Sequence, residues 1–157
     1  MKHVTHNKIL NKNQFAFTQN SNTEAAVLQL LHYINKNIES KQICITIFID
    51  FRKAFDMVNR NILVKKLSKI NLNTELMKTL ESYLTNRKQI VKISDEYSNN
   101  ELTIAGVPQG GCLSSLFFNI YINSIFKLGL NGMLQCYADD SVITYKKMAY
   151  CKRKINV

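Results

Sequence analysis

The sequence predicts an α+β domain in which an antiparallel sheet packs on helices. Three features lead there. The run Ile43-Cys44-Ile45-Thr46-Ile47-Phe48-Ile49 is continuous, apolar and β-branched, as a strand covered on both faces would be. Gly132-Met133-Leu134-Gln135-Cys136 and Val142-Ile143 flank Tyr137-Ala138-Asp139-Asp140, the pattern of a hairpin with a tight turn. Between them, apolar residues recur at helical spacing behind capping residues.

In chain order, residues 1–20 are polar and Asn-rich and read as a loosely held arm anchored by Phe15-Ala16-Phe17. Ser21-Asn22-Thr23-Glu24 has capping-box spacing, and Ala25, Leu28, Leu31 and Tyr33 predict a helix over about 22–38. The strand over 43–49 delivers Asp50 at its carboxyl end, and Arg52-Lys53-Ala54-Phe55-Asp56 turns the chain. Asn61 is placed to cap a helix with Ile62, Leu63, Leu67 and Ile70 inside; a second helix from Asn73 buries Leu76, Leu80 and Leu84. The two form a helical pair on the sheet. Residues 89–93 and 101–104 half-alternate and predict a hairpin with a long loop. After Gly106-Val107-Pro108-Gln109-Gly110-Gly111, the positions Leu113, Leu116, Phe117, Ile120, Tyr121 and Leu128 predict a helix of four turns or more. Beyond Tyr145 the chain is basic and without period.

Length and composition fit one folded domain or part of a larger one, with 157 residues, 46% hydrophobic content and a single Pro. Twenty-one basic against 11 acidic residues give a net charge of +10, which suits a polyanionic partner; a merely soluble basic surface or attraction to acidic lipid is the plain alternative, and charge alone does not choose between them. Cys44, Cys112, Cys136 and Cys151 lack metal-ligand spacing, and three of them lie in or beside apolar segments, which predicts small buried residues in a reducing compartment. No apolar run approaches a membrane span, and the amino terminus lacks a secretory core. An intracellular protein is expected, in nucleus or cytoplasm, with no membrane partner.

The chemistry lies in the acids. Adjacent side chains on a strand point to opposite faces, so Asp139 and Asp140 share a cleft with Asp50 only where a turn intervenes. Crowded carboxylates repel, and a cation offsets the repulsion. Mg²⁺ is the natural ion, since it takes one or two carboxylates and completes its shell with water and phosphates. An isolated Asp-Asp is more often a solvated turn; the surrounding motifs shift that balance.

Phe48-Ile49-Asp50-Phe51-Arg52-Lys53-Ala54-Phe55-Asp56, Gly106-Val107-Pro108-Gln109-Gly110 and Tyr137-Ala138-Asp139-Asp140 together resemble, in order and separation, the motifs of reverse transcriptases of non-LTR retrotransposons, the LINE and jockey-like group. The resemblance covers roughly residues 8–146. It implies a polymerase palm with part of the fingers and no thumb: one incomplete domain, with partial fingers over about 1–40, palm over 41–146 and a basic tail over 147–157. It further implies RNA-directed DNA synthesis from an RNA template, a DNA primer and dNTP, with Mg²⁺, or Mn²⁺ in its place. Asp50, Asp139 and Asp140 would be the catalytic metal ligands. Phe55 would be the aromatic gate against a 2′-hydroxyl, its plain alternative being a core Phe. Gln109 and Gly110 would line the nucleotide pocket, the Gly allowing close backbone approach, and Tyr137 would lie near the primer end.

The chain departs from the family pattern at Thr18, where an Arg is usual, and at Gly111, Ser115 and Ser124. Thr cannot grip a triphosphate bidentately as Arg does. With the thumb also lacking, the polypeptide alone is expected to be inactive or nearly so. The competing readings are a non-catalytic nucleic-acid-binding remnant and, last, a two-metal nuclease, in which Gln109 and Phe55 have no job.

Overall fold

The computed structural model describes residues 9–148 together with Val4 and Asn7. Cys151 and the tail from residue 149 lie outside the described residues, as does most of the amino-terminal arm before Ile9. Within the described part the chain is mixed α/β with antiparallel sheets, as the residue pattern predicts. It divides into two compact units, one of residues 11–51 and 126–157, the other of residues 1–10 and 52–125.

The first unit is built on helix α1 (Thr23–Glu39) and strands β1 (Gln42–Ile49), β6 (Gly132–Tyr137) and β7 (Asp140–Met148). The helix starts where expected, but its cap is Asn22, whose side chain accepts from the Ala25 N–H at 2.8 Å. Strand order is β1-β7-β6, all antiparallel. Strand β7 therefore extends through Lys146 and Lys147, where the sequence carries no strand signal. Helix α1 covers the sheet, packing on β1 and β6. The expectation that β1 is covered on both faces is not met: Ile43, Ile45, Ile47 and Phe48 are exposed. A β-branched run marks a strand but not how many of its faces are covered.

The outer edge of β6 is closed by the segment around Gln14. Cys136 N–H donates to the Asn13 carbonyl at 2.9 Å, Phe15 N–H donates to the Cys136 carbonyl at 2.9 Å, and Asn13 Nδ2 donates to the Leu134 carbonyl at 2.9 Å. The segment thus occupies an edge that would otherwise offer free backbone groups. Gln14, Phe15 and Ala16 are buried there, while Phe17 is exposed, so the anchor lies one residue earlier than the aromatic pattern suggests.

The second unit holds α2 (Arg60–Leu67), α3 (Thr74–Leu84), α4 (Ser114–Ile122) and the short strands β2 (Lys88–Gln89), β3 (Lys92–Ile93), β4 (Glu96–Tyr97) and β5 (Glu101–Leu102). Asn59 rather than Asn61 caps α2, accepting from Ile62 N–H at 3.1 Å, and Asn73 caps α3, accepting from Leu76 N–H at 2.7 Å. Helix α2 packs on both α3 and α4. Val58, Leu63, Leu67, Leu80, Leu84, Val107 and Phe117 form the core, while Ile62 and Leu76, expected inside, are exposed. The helical pair therefore builds a helical core with α4, and the helix that covers the three-stranded sheet in its own unit is α1.

The expected hairpin over 89–104 is broken in two. Strand β2 pairs with β5, and the intervening loop folds into its own small hairpin, β3 with β4. Helix α4 is shorter than four turns; it gives way to a 3-10 turn over Asn123–Lys127, and Leu128 is exposed. Cys136 is buried, but Cys44 is only half-buried and Cys112 is exposed, against the expectation of buried thiols.

Candidate active site

The register of the sheet sets the geometry of the acids. Ile49 pairs with Ser141, so Asp50, one residue on, stands at the strand end beside Asp140, one residue before Ser141. Tyr137 pairs with Asp140, which leaves Ala138-Asp139 as a two-residue turn. Three carboxylate-bearing residues, separated by 90 positions of sequence at their extremes (50 to 140), thus occupy two adjoining strand ends and the turn between β6 and β7. Asp139 is half-buried; Asp50 and Asp140 are exposed.

Of the two turn residues only Ala138 has positive φ, at 56°. That is the pattern of a type II′ hairpin turn, whose first central position ordinarily takes Gly. A turn separates Asp139 from the strict alternation of the strand, as the sequence requires if it is to share a side with Asp140 or Asp50. Behind the turn, Ser141 Oγ lies 3.3 Å from Cys136 Sγ and donates to the Asp139 carbonyl at 3.4 Å. Burial pushes the Cys136 thiol above its ordinary range, and the Ser141 hydrogen bond opposes this more weakly. Thr46 and Thr144 join hydroxyls across β1 and β7 at 3.2 Å, with Thr144 fully buried.

Among the described residues no three His, Cys, Asp or Glu side chains are gathered closely enough to hold a metal ion. The fold supplies neighbouring backbone positions, and like charges do not converge on their own. Carboxylate oxygens are hard ligands of the kind Mg²⁺ takes, with water and phosphate oxygens completing its shell.

The remaining residues singled out in the sequence lie in the helical unit, apart from Tyr137 and Thr18. Tyr137 is exposed at the end of β6. Phe55 is half-buried and stacks on Phe118 with ring centroids 4.3 Å apart, so one face of its ring is engaged in packing. Gln109 is exposed, and its Nε2 donates to Asp56 Oδ1 at 2.8 Å. This link gives Asp56 a partner that the sequence did not suggest. Gly110 has a φ of 74° with open space where a Cβ would stand. Close approach of two backbone segments falls instead at Gly106 (φ 85°), where a Cβ would lie 2.9 Å from the Asp56 carbonyl oxygen.

Asp56 and Gln109 line a cavity of about 380 Å³ with Arg60, Arg87, Gln89 and Pro108. Arg60 is a fixed wall of it. Its guanidinium donates to the carbonyls of Gly106 (2.7 Å), Thr103 (2.6 Å) and Ala105 (2.7 Å) and to Thr103 Oγ1 (2.8 Å). Burial, and then the nearby Arg87, lower its affinity for the proton. Thr18, in the other unit, spends its hydroxyl on the carbonyls of Gln14 (3.2 Å) and Phe15 (3.1 Å).

A family profile described as reverse transcriptase (RNA-dependent DNA polymerase) matches residues 1–157. The chain belongs to the reverse transcriptase family. Among curated relatives of this reverse transcriptase domain, a probable RNA-directed DNA polymerase from transposon BS of Drosophila melanogaster is 30% identical over 149 residues, 90% of this chain and 16% of that one. A probable RNA-directed DNA polymerase from transposon X-element of the same species is 31% identical over 139 residues, 86% of this chain and 15% of that one. An RNA-directed DNA polymerase from mobile element jockey of Drosophila funebris is 27% identical over 142 residues, 86% and 15% of the two chains. The domain is therefore of the non-LTR retrotransposon type and spans about a sixth of the length of these relatives. Among the described residues no helix is long and apolar enough to cross a membrane.

Proposed function

We propose that this domain is the palm, with part of the fingers, of a retrotransposon reverse transcriptase, and that it transfers nucleotides from dNTP to a primer 3′-hydroxyl on an RNA template. The observation that carries the reading is the register: Ile49 opposite Ser141 and a two-residue turn after Tyr137 bring Asp50, Asp139 and Asp140 to adjoining strand ends.

Asp50, Asp139 and Asp140 would hold the divalent ions, Mg²⁺ or Mn²⁺. When bound, such ions lower the pKa of an attacking hydroxyl and take up charge on the leaving group. The chain's own part is to present three carboxylates from a rigid sheet, so catalysis rests on positioning and electrostatics and needs no covalent nucleophile. Phe55, braced from behind by Phe118, would set the sugar pocket, and Gln109, held by Asp56, and Gly110 would line the nucleotide site. Tyr137 would flank the primer end. The surplus of basic residues would attract template and primer. Thr18 offers no cation to a triphosphate, so this polypeptide by itself extends a primer weakly.

A second reading, a non-catalytic nucleic-acid-binding domain, is favoured by Thr18 and by the absence of a gathered ligand set among the described residues. Primer extension on an RNA template decides between them. Weak synthesis that requires Mg²⁺ or Mn²⁺ and disappears in Asp139→Asn is the expected result. Salt-sensitive binding with no synthesis at any protein concentration would establish the second reading instead.

A further inference from the structure

The turn that presents Asp139 is held from a distant part of the sequence. Gln14 is 2% exposed, and its carboxamide brackets a single residue of the turn. Its Oε1 accepts from Ala138 N–H at 3.1 Å, and its Nε2 donates to the Ala138 carbonyl at 3.3 Å. The same Oε1 accepts from Ala16 N–H at 3.1 Å, which fixes the side chain from its own segment. The Cα of Gln14 is fixed as well, since Asn13 and Phe15 are both hydrogen-bonded to Cys136.

Ala138 needs such a clamp. Its φ of 56° is one that a residue with a Cβ rarely adopts, and no intrinsic preference of Ala holds it there. Ala138 is buried, so its N–H and carbonyl, without Gln14, would be left unpaired away from water. Relaxation of φ at Ala138 swings the next residue, and the next residue is Asp139. Only a planar amide offers one acceptor and one donor side by side: Glu lacks the donor, and Leu or Met of similar size lack both.

We propose that Gln14 is a positioning residue for the metal-binding turn, holding Ala138 in its strained conformation so that Asp139 is presented beside Asp50 and Asp140. The inference rests on the reading of those three acids as metal ligands. Its structural half, the clamp on Ala138, does not.

Two measurements on the 157-residue chain test it. In metal-free buffer, amide hydrogen exchange followed by NMR should be accelerated by about tenfold or more at Ala138 in Gln14→Ala, with the Leu134 amide in the middle of β6 unchanged. Titration with Mn²⁺, read by its EPR signal, should then give an affinity about tenfold weaker in Gln14→Ala, the effect usual for a group that orients a ligand. Ala138→Gly removes the strain that the clamp opposes, so adding it to Gln14→Ala should recover most of the Mn²⁺ affinity. Loss of an unrelated packing contact would not be rescued there. Unchanged exchange at Ala138, or no rescue by glycine, overturns the proposal. Should Gln14→Ala fail to fold, the Ala138→Gly single variant decides: the proposal expects Gln14→Ala/Ala138→Gly to fold and bind Mn²⁺ like that single variant, and failure of the pair as well overturns it. Wild-type protein that binds Mn²⁺ no better than Asp139→Asn removes the ligand reading itself, an outcome distinct from a failed clamp.

Discussion

Replacing Arg60 by Met tests how the loop leading to Gln109 is held. Arg60 opens α2, and its four hydrogen bonds gather Thr103, Ala105 and Gly106, the approach to Pro108 and Gln109. A hydrogen bond from a charged donor is worth about 1.5–3 kcal/mol net. The four share one half-exposed guanidinium and are not additive, and solvent screening reduces them further, so we take about 3 kcal/mol for the set. Against a typical domain stability of about 5–15 kcal/mol this is a large fraction. At about 2–4 °C per kcal/mol for a chain of this length, Arg60→Met should lower the melting temperature by about 10 °C. Arg60→Lys should fall between, because an ammonium is a point donor that cannot span three carbonyls at once. Thermal and urea unfolding followed by circular dichroism provide the measurement. Exchange of the Gly106 amide, which donates to the Val58 carbonyl at 2.9 Å, reports the local loosening. A stability for Arg60→Met within about 1 kcal/mol of wild type, the range of an ordinary surface change, would refute the reasoning.

Other expectations concern single positions. Gly106→Ala should destabilise by about 2 kcal/mol or more in urea unfolding, since the new Cβ meets the Asp56 backbone at a φ of 85°; Gly110→Ala, strained in φ but in open space, should cost about 1 kcal/mol. Cys112, exposed, should be alkylated by iodoacetamide long before Cys136, which is buried with a raised pKa. The folded Cys136 thiol keeps its proton to higher pH than the unfolded one does. Its contribution to stability is therefore full below the unfolded thiol pKa of about 8.5 and is lost as pH rises through the folded value; Cys136→Ala should flatten that alkaline decline in urea midpoints.

Much of this was legible in the sequence, and the rest failed for identifiable reasons. The strand ending at Ile49 and the hairpin at Asp139 are marked by apolar runs and by a turn that Asp tolerates, whereas the pairing of β1 with β7 is written in neither run alone. Asn73 announces its helix as a cap, whereas Asn61 lies two residues beyond the true cap, Asn59, because both offer the same side-chain chemistry. Two-residue strands such as Lys92–Ile93 carry too few positions for alternation to register. The exposure of Ile43, Ile45 and Ile47 is set by which elements lie over β1, not by β1 itself. The Asp56 link to Gln109 joins residues 53 positions apart, and the Gln14 clamp joins residues 124 apart. Ala138 carries no turn signal at all. A polar Gln next to the buried Phe15-Ala16 was the one available hint of the clamp.

Paramagnetic broadening tests the central arrangement most directly. Substoichiometric Mn²⁺ added to ¹⁵N-labelled protein should broaden first the amides of Asp50 and of Ala138 to Ser141, two sets far apart in sequence, and Asp50→Asn should weaken the effect at Asp139. Broadening centred elsewhere, or a response at Asp139 and Asp140 that spares Asp50, would contradict a shared carboxylate site at these strand ends.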